Sequence, residues 1–402
     1  MADFKTLDQA DVKGKRVLLR VDLNVPTENG QVTDSTRIER IAPTITEIAD
    51  KGGKVILLAH FGRPKGPNPK DSLKPIAEAV SHIVKRHVGF AEDCIGEKAE
   101  AAIAAMKPGD IVLLENTRFH KGEEENDPAF VAALTKLGDL WVNDAFSAAH
   151  RSHASTEGLG HKLSAYAGRT MQAELDALAK ALDAPKKPVI AIVGGAKVST
   201  KLELLENLVA KVEALVIGGA MANTFLHAQG IKVGKSLVEK DMADTARRIL
   251  DKAESRHCAV ILPVDAIVAF HFEANTPSHA YGVDAIPAEG MMLDVGGQSI
   301  ERIKGAIDEA ATLVWNGPMG AFEMHPFDKA TVEIAKYAAV RTKAGKLVSV
   351  AGGGDTVAAL NMAGVTEQFT YVSTAGGAFL EWMEGKPLPG VEVLRQKGRG
   401  NE

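Results

Sequence analysis

The sequence predicts an α/β fold of two doubly wound, Rossmann-like parallel-sheet domains joined by an interdomain helix and hinge. Short runs rich in Val, Ile and Leu recur along the 402 residues without strict alternation, which is typical of strands buried on both faces of a sheet. Stretches with helical periodicity separate many of these runs, and this alternation favours parallel pairing. The length also suits two domains better than one.

Ten apolar runs are predicted to form the strands. Four lie in the first half of the chain and six in the second: 16–22, 54–60, 111–116 and 140–146, then 189–195, 214–220, 259–265, 312–318, 346–354 and 369–377. The stretch KLELLENLVAKVE, which follows the run 189–195, is typical of the helices expected between them.

The pattern changes between the two groups of strands. RTMQAELDALAKALDAPKKP has apolar residues at helical spacing and ends in two prolines, Pro185 and Pro188, which predicts one amphipathic helix. The alternative is a helix that packs within one larger domain. We place the domain boundary here. This predicts an N-terminal domain over 1–168, an interdomain helix with a hinge over 169–188, and a C-terminal domain over 189–385.

Composition argues against several classes of protein. Lys and Arg number 47 against 52 Asp and Glu, a net charge of −5, which does not favour a nucleic-acid or anionic-membrane binder. The two cysteines, Cys94 and Cys258, form no CxxC pair, so we expect neither a disulfide framework nor a zinc module. We also expect a cytoplasmic location, because so few cysteines suit a reducing compartment. The first residues lack a signal-peptide pattern and no run of 18 apolar residues occurs, so no membrane span is expected.

Arginines recur where the first four predicted strands end. In open α/β sheets, ligands bind beyond the carboxyl ends of the strands. Arg63, Arg118 and Arg151 each follow a strand closely, and Arg37 follows the first strand. Guanidinium groups are planar, multi-donor and always charged, so several together predict an anion-binding site.

Other polar residues at these strand ends are open to more than one interpretation. A single arginine after a strand is often a solvated loop residue, and Asp22 and Asn24 could form an Asx-turn before Pro26. His150 and His153 could suggest a metal, but no further ligand pattern supports one. The repetition of arginine at the same topological position favours the functional interpretation.

Glycines recur where strands of the second half end, at 194–195, 218–219, 352–354 and 376–377. Glycines between a strand and a helix let backbone amides approach phosphates, although one such pair can also be a tight turn. Lys197 and Lys201 are predicted to lie on one face of the helix that GGAKVSTK opens. Asp355, after three glycines, could bind a nucleotide-borne Mg²⁺. The turns therefore predict nucleotide binding, without a standard dinucleotide fingerprint.

Seven segments, in this order along nearly the whole chain, resemble those of the phosphoglycerate kinase family: RVDLNVP, HFGRP, LENTRFHKGEEEN, NDAFSAAHRSHAST, VGGAKVSTKLELLENL, WNGPMGAFE and AGGGDTVAAL. The resemblance implies a two-domain, hinge-bending monomer that transfers a phosphoryl group between 1,3-bisphosphoglycerate and MgADP, giving 3-phosphoglycerate and MgATP. It also implies that the C-terminal tail, 386–402, joins the first domain.

The resemblance also implies a role for each residue that matches a family motif. Asp22, Asn24 and Arg37 would hold the carboxylate and hydroxyl end of the glycerate. The residues that would hold its 3-phosphate are His60, Arg63, Arg118 and Arg151. Lys197 would follow the migrating phosphoryl group, opposite Arg37. The residues that would bind the nucleotide are Gly195, Lys201, Gly219, Asn316, Glu323, Gly353, Gly354, Asp355 and Thr356, with Asp355 acting through Mg²⁺.

The last glycine turn departs from the family pattern. It reads STAGGAFL, with Ala375 and Phe379 where the family usually has a further glycine and a serine. We expect no effect on the type of reaction.

Two other classes of protein share parts of these patterns. A dinucleotide-dependent dehydrogenase has the same α/β alternation, but the missing fingerprint argues against it. A two-domain solute-binding protein would also trap an anion, but it is normally exported and forms no ATP.

Overall fold

The computed structural model describes residues 4–395, and these fall into two compact units. Unit 1 comprises the chain up to Asp176 together with the segment from Pro387, and unit 2 runs from Ala177 to Lys386. The expectation for the end of the tail, 396–402, falls outside the described residues. None of the helices within residues 4–395 has both the length and the apolar composition of a membrane span.

Unit 1 is built on a parallel sheet. Its strands in chain order are β1 (Arg16–Arg20), β2 (Thr27–Glu28), β3 (Gln31–Val32), β4 (Lys54–Leu58), β5 (Val88–Ala91), β6 (Ile111–Leu114), β7 (Leu140–Asn143) and β8 (Ala165–Ala167). β2 and β3 pair as a short antiparallel hairpin, and the other six form the sheet in the order β5-β6-β4-β1-β7-β8. Val17, Leu18 and Leu19 of β1 are all fully buried, as expected of a central strand covered on both faces.

The first five helices are α1 (Thr36–Asp50), α2 (Lys74–Val84), α3 (Gly96–Ala104), α4 (Pro128–Thr135) and α5 (Arg169–Leu178). α5 is the amphipathic helix that the sequence predicts. Its α-helical pattern ends at Leu178, and a π-helical turn, Ala179–Asp183, continues it.

Unit 2 contains a second parallel sheet and a smaller antiparallel one. Its strands are β9 (Val189–Val193), β10 (Ala214–Ile217), β11 (Ala259–Ile261), β12 (Asp265–Ala269), β13 (Ser278–Gly282), β14 (Met291–Val295), β15 (Thr312–Asn316), β16 (Val348–Gly352) and β17 (Tyr371–Ser373). The parallel sheet has the order β11-β10-β9-β15-β16-β17. Numbered within the sheet this is 3-2-1-4-5-6, the order of doubly wound dinucleotide-binding folds, in which the switch point lies between β9 and β15.

The helices of unit 2 are α6 (Leu202–Leu208), α7 (Gly219–Ala228), α8 (Ala243–Ser255), α9 (Gly297–Glu309), α10 (Lys329–Lys343), α11 (Gly354–Ala363) and α12 (Gly376–Met383). The chain then supplies a short helix, α13 (Pro389–Glu392), to unit 1. There the side-chain amide of Asn143 donates a hydrogen bond of 3.1 Å to the carbonyl oxygen of Gly390. Phe4 forms an antiparallel bridge with Arg395, a few residues after α13.

The predicted fold class is confirmed, and each of the ten predicted runs contains a parallel strand. The sequence interpretation missed β5 and β8, which are short and contain Gly or Tyr among small residues. It also missed the antiparallel sheet β13-β12-β14, whose strand Ser278–Gly282 is largely polar and partly exposed.

Candidate active site

The end of β1 brings together the first group of predicted residues. Asp22 Oδ2 accepts hydrogen bonds from Ser147 Oγ at 2.5 Å and from Arg37 Nη1 at 3.0 Å. Arg37 Nη1 also donates to the backbone oxygen of Asn24 at 2.9 Å. The Asx-turn considered as an alternative is present too, because Asp22 Oδ1 accepts from the backbone amide of Asn24. The turn and the ion pair therefore coexist, and the turn positions the carboxylate for Arg37.

Gly62 connects this group to the end of β6. Its amide donates to Asn24 Oδ1 at 2.9 Å, and its carbonyl oxygen accepts from Arg118 Nη1 at 2.8 Å. Arg118 lies in a 3-10 turn, Thr117–Phe119, and is buried. Polar contacts therefore link three different strand ends of unit 1.

His60 follows β4 and has a defined protonation state. Burial lowers the pKa of His60 well below its usual value, and the charges of Arg20 and Arg118 act in the same direction. Arg20 Nη2 lies 2.8 Å from His60 Nδ1. Since a guanidinium only donates, Nδ1 accepts and the ring proton is on Nε2. His60 is therefore a neutral donor.

Arg20 was missed by the sequence interpretation, although it belongs to this network. It is 1% exposed, and it donates through Nε to Ser155 Oγ at 2.8 Å and through Nη1 to the backbone oxygen of Val21. Burial lowers its pKa, while the nearby charge of Glu123 opposes that effect. The available signal was a charged residue at the end of an otherwise apolar run.

Arg63 and Arg151 complete the predicted set in unit 1. Arg63 is exposed, and its guanidinium makes no hydrogen bond within residues 4–395. Arg151 Nε donates to His150 Nε2 at 3.3 Å. Burial lowers the pKa of Arg118, and the charges of Arg151 and Arg63 add to that effect. The arginines therefore lie close enough to repel one another, as expected of an anion site.

The switch point of unit 2 requires glycine. Gly194 follows β9 and Gly317 follows β15, and the backbones approach so closely that a Cβ on Gly194 would lie 1.8 Å from Pro318 O. Gly317 has φ +103°, and a Cβ there would lie 2.2 Å from Gly194 O. Larger residues at either position would push the two strand ends apart.

A cavity of roughly 600 Å³ lies beside this switch point, within unit 2. Four predicted residues line it: Gly195, Gly219, Glu323 and Asp355. Gly219 has φ +66°, and a Cβ on it would lie 2.5 Å from Gly195 O. The volume matches that of small-molecule sites.

The apolar wall of this cavity was not predicted. It consists of Leu237, Phe272, Met291, Met292, Leu293, Met319 and Phe322. Phe272 and Leu237 are among the most exposed large apolar side chains described, at 66% and 55%. Part of the wall comes from β14, in the antiparallel sheet that the sequence interpretation missed. No motif marks these residues, so only the fold brings them together.

The prediction that Lys197 and Lys201 share a helix face is wrong. α6 begins at Leu202, with Lys201 as its N-cap residue, and Lys197 lies in an irregular, exposed segment. Glu239 holds that segment out of the helix, since its carboxylate accepts from the backbone amide of Ser199 at 3.1 Å. The side chain of Lys197 makes no hydrogen bond within the described part of the chain.

Lys201 points inward from the N-terminus of α6. Its Nζ donates to Gly194 O at 2.6 Å and to Asn316 Oδ1 at 2.7 Å. Burial lowers the pKa of Lys201 to about 8, and the charge of Asp355 opposes the shift. Asn316 is buried and also donates through Nδ2 to Gly352 O at 2.9 Å. Lys201 and Asn316 thus connect the backbone at the ends of β9 and β16.

The first turn of α11 holds the remaining predicted residues. Gly353 is the N-cap residue, with φ +99°, and Gly354 and Asp355 are exposed. Thr356 is buried, and its Oγ1 accepts from the amide of Gly317 at 2.7 Å. The Thr356 side chain therefore fixes the switch point, whereas the Asp355 carboxylate remains accessible from the cavity.

The two unusual residues of the last turn belong to the start of α12 and to its buried face. Ala375 is the N-cap residue of α12, and Phe379 is fully buried. The Phe379 ring packs directly beneath Gly352, where an added Cβ would lie 2.5 Å from the ring. Phe379 therefore supports the end of β16 from inside unit 2.

Comparisons with known proteins agree with these features. A family model described as phosphoglycerate kinase matches residues 7–386. The chain is 76% identical over 394 residues to the phosphoglycerate kinase of Bradyrhizobium diazoefficiens and 77% identical to that of Rhodopseudomonas palustris. Each match covers 98% of this chain and 99% of the relative. The chain belongs to the phosphoglycerate kinase family.

Solved phosphoglycerate kinase structures have the same fold. The Coxiella burnetii structure matches with a TM-score of 0.93 at 40% identity, over 98% of this chain and 100% of that one. The Pyrococcus horikoshii structure matches with a TM-score of 0.79 at 30% identity, over 97% and 98% of the two chains. The protein is therefore a kinase of glycolysis that transfers phosphate between 1,3-bisphosphoglycerate and ADP. The dehydrogenase and solute-binding alternatives are not supported.

Proposed function

We propose that each unit of this phosphoglycerate kinase binds one of its two substrates. The guanidinium groups at the strand ends of unit 1 would bind 3-phosphoglycerate or 1,3-bisphosphoglycerate. The cavity of unit 2 would bind ATP or ADP. The observation that carries the proposal is the network from Asp22 through Gly62 to Arg118, because it gathers several cations at one edge of a sheet.

In unit 1, Asp22, Asn24 and Arg37 would hold the carboxylate and hydroxyl end of the glycerate. The Arg37 side chain is 38% exposed, and the guanidinium N–H groups that make no internal hydrogen bond would donate to a ligand. The 3-phosphate would be held by the residues His60, Arg63, Arg118 and Arg151. The neutral His60 would donate through Nε2, and the arginines would supply charge-assisted hydrogen bonds.

In unit 2, the adenine would lie against the apolar wall near Gly195 and Gly219, which bring backbone rather than side chains to the cavity. Glu323 is exposed at the cavity and would bind the ribose, with Asn316 nearby. The phosphates would approach the first turn of α11 at Gly353, Gly354 and Thr356, where backbone amides and the helix dipole favour anions. Lys201 would exchange its contact with Asn316 for a phosphate oxygen.

The residues around Asp355 fit a magnesium ion. Asp355 is exposed at the cavity, and its carboxylate makes no hydrogen bond within residues 4–395, so both oxygens are available. Mg²⁺ prefers one or two carboxylates together with phosphate oxygens. When bound with the nucleotide, Mg²⁺ would neutralise charge that develops on the phosphate oxygens.

The chemical step would need little from the protein beyond positioning and positive charge, because phosphoryl transfer has a loose transition state. We propose direct in-line transfer, with Arg37 and Lys197 on either side of the migrating group. Lys197 is exposed and unpaired in the described chain, so its ammonium group is free to move with that group.

The segment 169–188 would act as a hinge between two domains. The phosphoglycerate domain would comprise 1–168 and the C-terminal tail, and the nucleotide domain would comprise 189–385. Closure would exclude water from the reaction.

We further propose a cytoplasmic monomer that binds neither nucleic acid nor membranes. The net charge of −5 does not favour polyanions. Cys94 and Cys258 are both buried as free thiols, which suits a reducing compartment.

Exchange of Arg63 tests the substrate assignment. Arg63 is exposed and makes no hydrogen bond within residues 4–395, so Arg63→Met should fold normally. Loss of its charge-assisted hydrogen bonds should raise the KM for 3-phosphoglycerate roughly 10- to 100-fold and leave the KM for ATP unchanged. The matched control is Arg86→Met, because Arg86 pairs with Asp50 elsewhere on unit 1. An unchanged KM for 3-phosphoglycerate in Arg63→Met would refute the assignment.

A further inference from the structure

Unit 1 contains a second group of ligand-type side chains, formed by Asp93, Cys94 and His120. One ligand atom of each lies within 4.8 Å of the other two. Asp93 and Cys94 follow β5, and His120 follows the short turn after β6. Because β5 and β6 are paired parallel neighbours, both segments leave the sheet at the same edge. The sheet therefore juxtaposes residues that are distant in the sequence.

Asp93 and His120 already hold each other in place. His120 Nε2 lies 2.7 Å from Asp93 Oδ1, and since a carboxylate only accepts, Nε2 carries the proton. The same carboxylate oxygen accepts from the backbone amide of Cys94 at 2.7 Å. The His120 ring stacks on Phe130 with centroids 5.3 Å apart. Two of the three side chains are thus oriented before any ligand arrives.

The Cys94 thiol is buried beside these two side chains and has no hydrogen-bond partner within the described residues. It is 0% exposed. It nevertheless lies within reach of a carboxylate and an imidazole. The Asp93 and His120 side chains are 38% and 32% exposed, so an ion could enter from their side.

The surroundings of Cys94 carry negative charge. Burial raises the pKa of the Cys94 thiol, and the carboxylates of Glu123, Asp93 and Glu115 add to that effect, so the thiol keeps its proton until a cation replaces it. Glu123 is 1% exposed, and its Oε2 has no hydrogen-bond partner within the described residues. A cation at this position would therefore be attracted by several carboxylates.

We propose that Asp93, Cys94 and His120 bind a divalent transition-metal ion, for which Zn²⁺ is the best match. One nitrogen, one oxygen and one sulfur ligand suit Zn²⁺ and not Mg²⁺. Zinc–ligand distances of about 2.0–2.3 Å place tetrahedral ligand atoms roughly 3–4 Å apart, and the three ligand atoms here lie within 4.8 Å of one another. When the ion binds, the Cys94 thiol loses its proton to solvent. The His120 ring gives up its hydrogen bond from Nε2 to Asp93 and takes the tautomer with the proton on Nδ1, which leaves Nε2 to bind the ion. Water takes the fourth position.

Titration of the full-length, chelator-treated protein with Co²⁺ tests the site. Cobalt takes the place of zinc, and a cobalt–thiolate bond gives a charge-transfer absorption band in the near ultraviolet. The wild type should bind one equivalent of Co²⁺ and show this band, and added Zn²⁺ should displace the Co²⁺ and abolish the band. Cys94→Ala should lose the band, and His120→Asn should weaken binding at least roughly 10- to 100-fold.

Cys258→Ala is the matched control, because it removes the other buried cysteine, in unit 2. It should keep the band and the stoichiometry. The proposal is overturned if the wild type shows no thiolate band, if Cys94→Ala keeps it, or if Cys258→Ala loses it. Should Cys94→Ala fail to fold, His120→Asn decides the question, because its side chain is partly exposed and unchanged affinity there would also overturn the proposal.

Discussion

The buried amine of Lys201 should make nucleotide binding depend on pH. Burial lowers the pKa of Lys201 from 10.5 to about 8, so the free enzyme loses this charge far below the usual pH. With a pKa of 8, Lys201 is charged in about 91% of the molecules at pH 7 and in about 9% at pH 9. An ordinary lysine is still about 97% charged at pH 9. If ADP phosphates bind only the protonated form, the Kd for ADP rises about tenfold between these pH values.

Isothermal titration of the wild type with ADP between pH 7 and 9 measures this effect. Lys201→Arg keeps the charge throughout, so its Kd should stay flat. Lys201→Met lacks the charge, so its Kd should be high and equally flat. A wild-type Kd that does not change between pH 7 and 9, or the same tenfold rise in Lys201→Met, would refute the reasoning.

Three further substitutions test other parts of the account. Arg37→Ala should lower kcat about 10²–10³-fold at saturating substrates in a coupled assay, as for the loss of one transition-state donor. Gly219→Ala forces a Cβ against Gly195 O at φ +66°. In urea unfolding it should lower the free energy of unfolding by on the order of 1–3 kcal/mol. It should also raise the Kd for ADP and leave the Kd for 3-phosphoglycerate unchanged. Burial raises the pKa of Asp144 from 3.8 to about 6. The folded state thus keeps a proton that the unfolded state loses between these values, and stability falls as pH rises across that window. In urea unfolding, the free energy of unfolding of the wild type should be about 2 kcal/mol lower at pH 7 than at pH 4 through this group, and Asp144→Asn should remove that difference.

The parallel sheets could be predicted because their strands are buried on both faces and therefore form uninterrupted apolar runs. The polar strand Ser278–Gly282 lacks that pattern, so the antiparallel sheet beside the nucleotide cavity was missed. The arginines and glycines at strand ends could be predicted because topology alone brings strand ends together. Arg20 was missed because a charged residue at the end of an apolar strand is a weak signal on its own, and its role depends on contacts with His60 and Ser155.

Tertiary contacts decided the remaining differences. The helix expected over Lys197 to Lys201 would contain Val, Ser and Thr between the two lysines, which are weak helix formers. The hydrogen bonds of Ser199 to Glu239 and of Lys201 to Asn316 hold the segment in another conformation, and α6 begins at Leu202. The group of Asp93, Cys94 and His120 has no recognisable spacing along the chain. It exists because β5, itself missed, pairs with β6.

Hydrogen exchange of the backbone amides, measured by mass spectrometry with one substrate at a time, tests most directly whether each unit binds its own substrate. Saturating 3-phosphoglycerate alone should slow exchange at the strand ends of unit 1, around Asn24, Gly62 and Arg118. MgADP alone should slow it around Gly195, Gly219 and Gly354 in unit 2. Protection by 3-phosphoglycerate at the glycine turns, with none at the arginine cluster, would contradict the account.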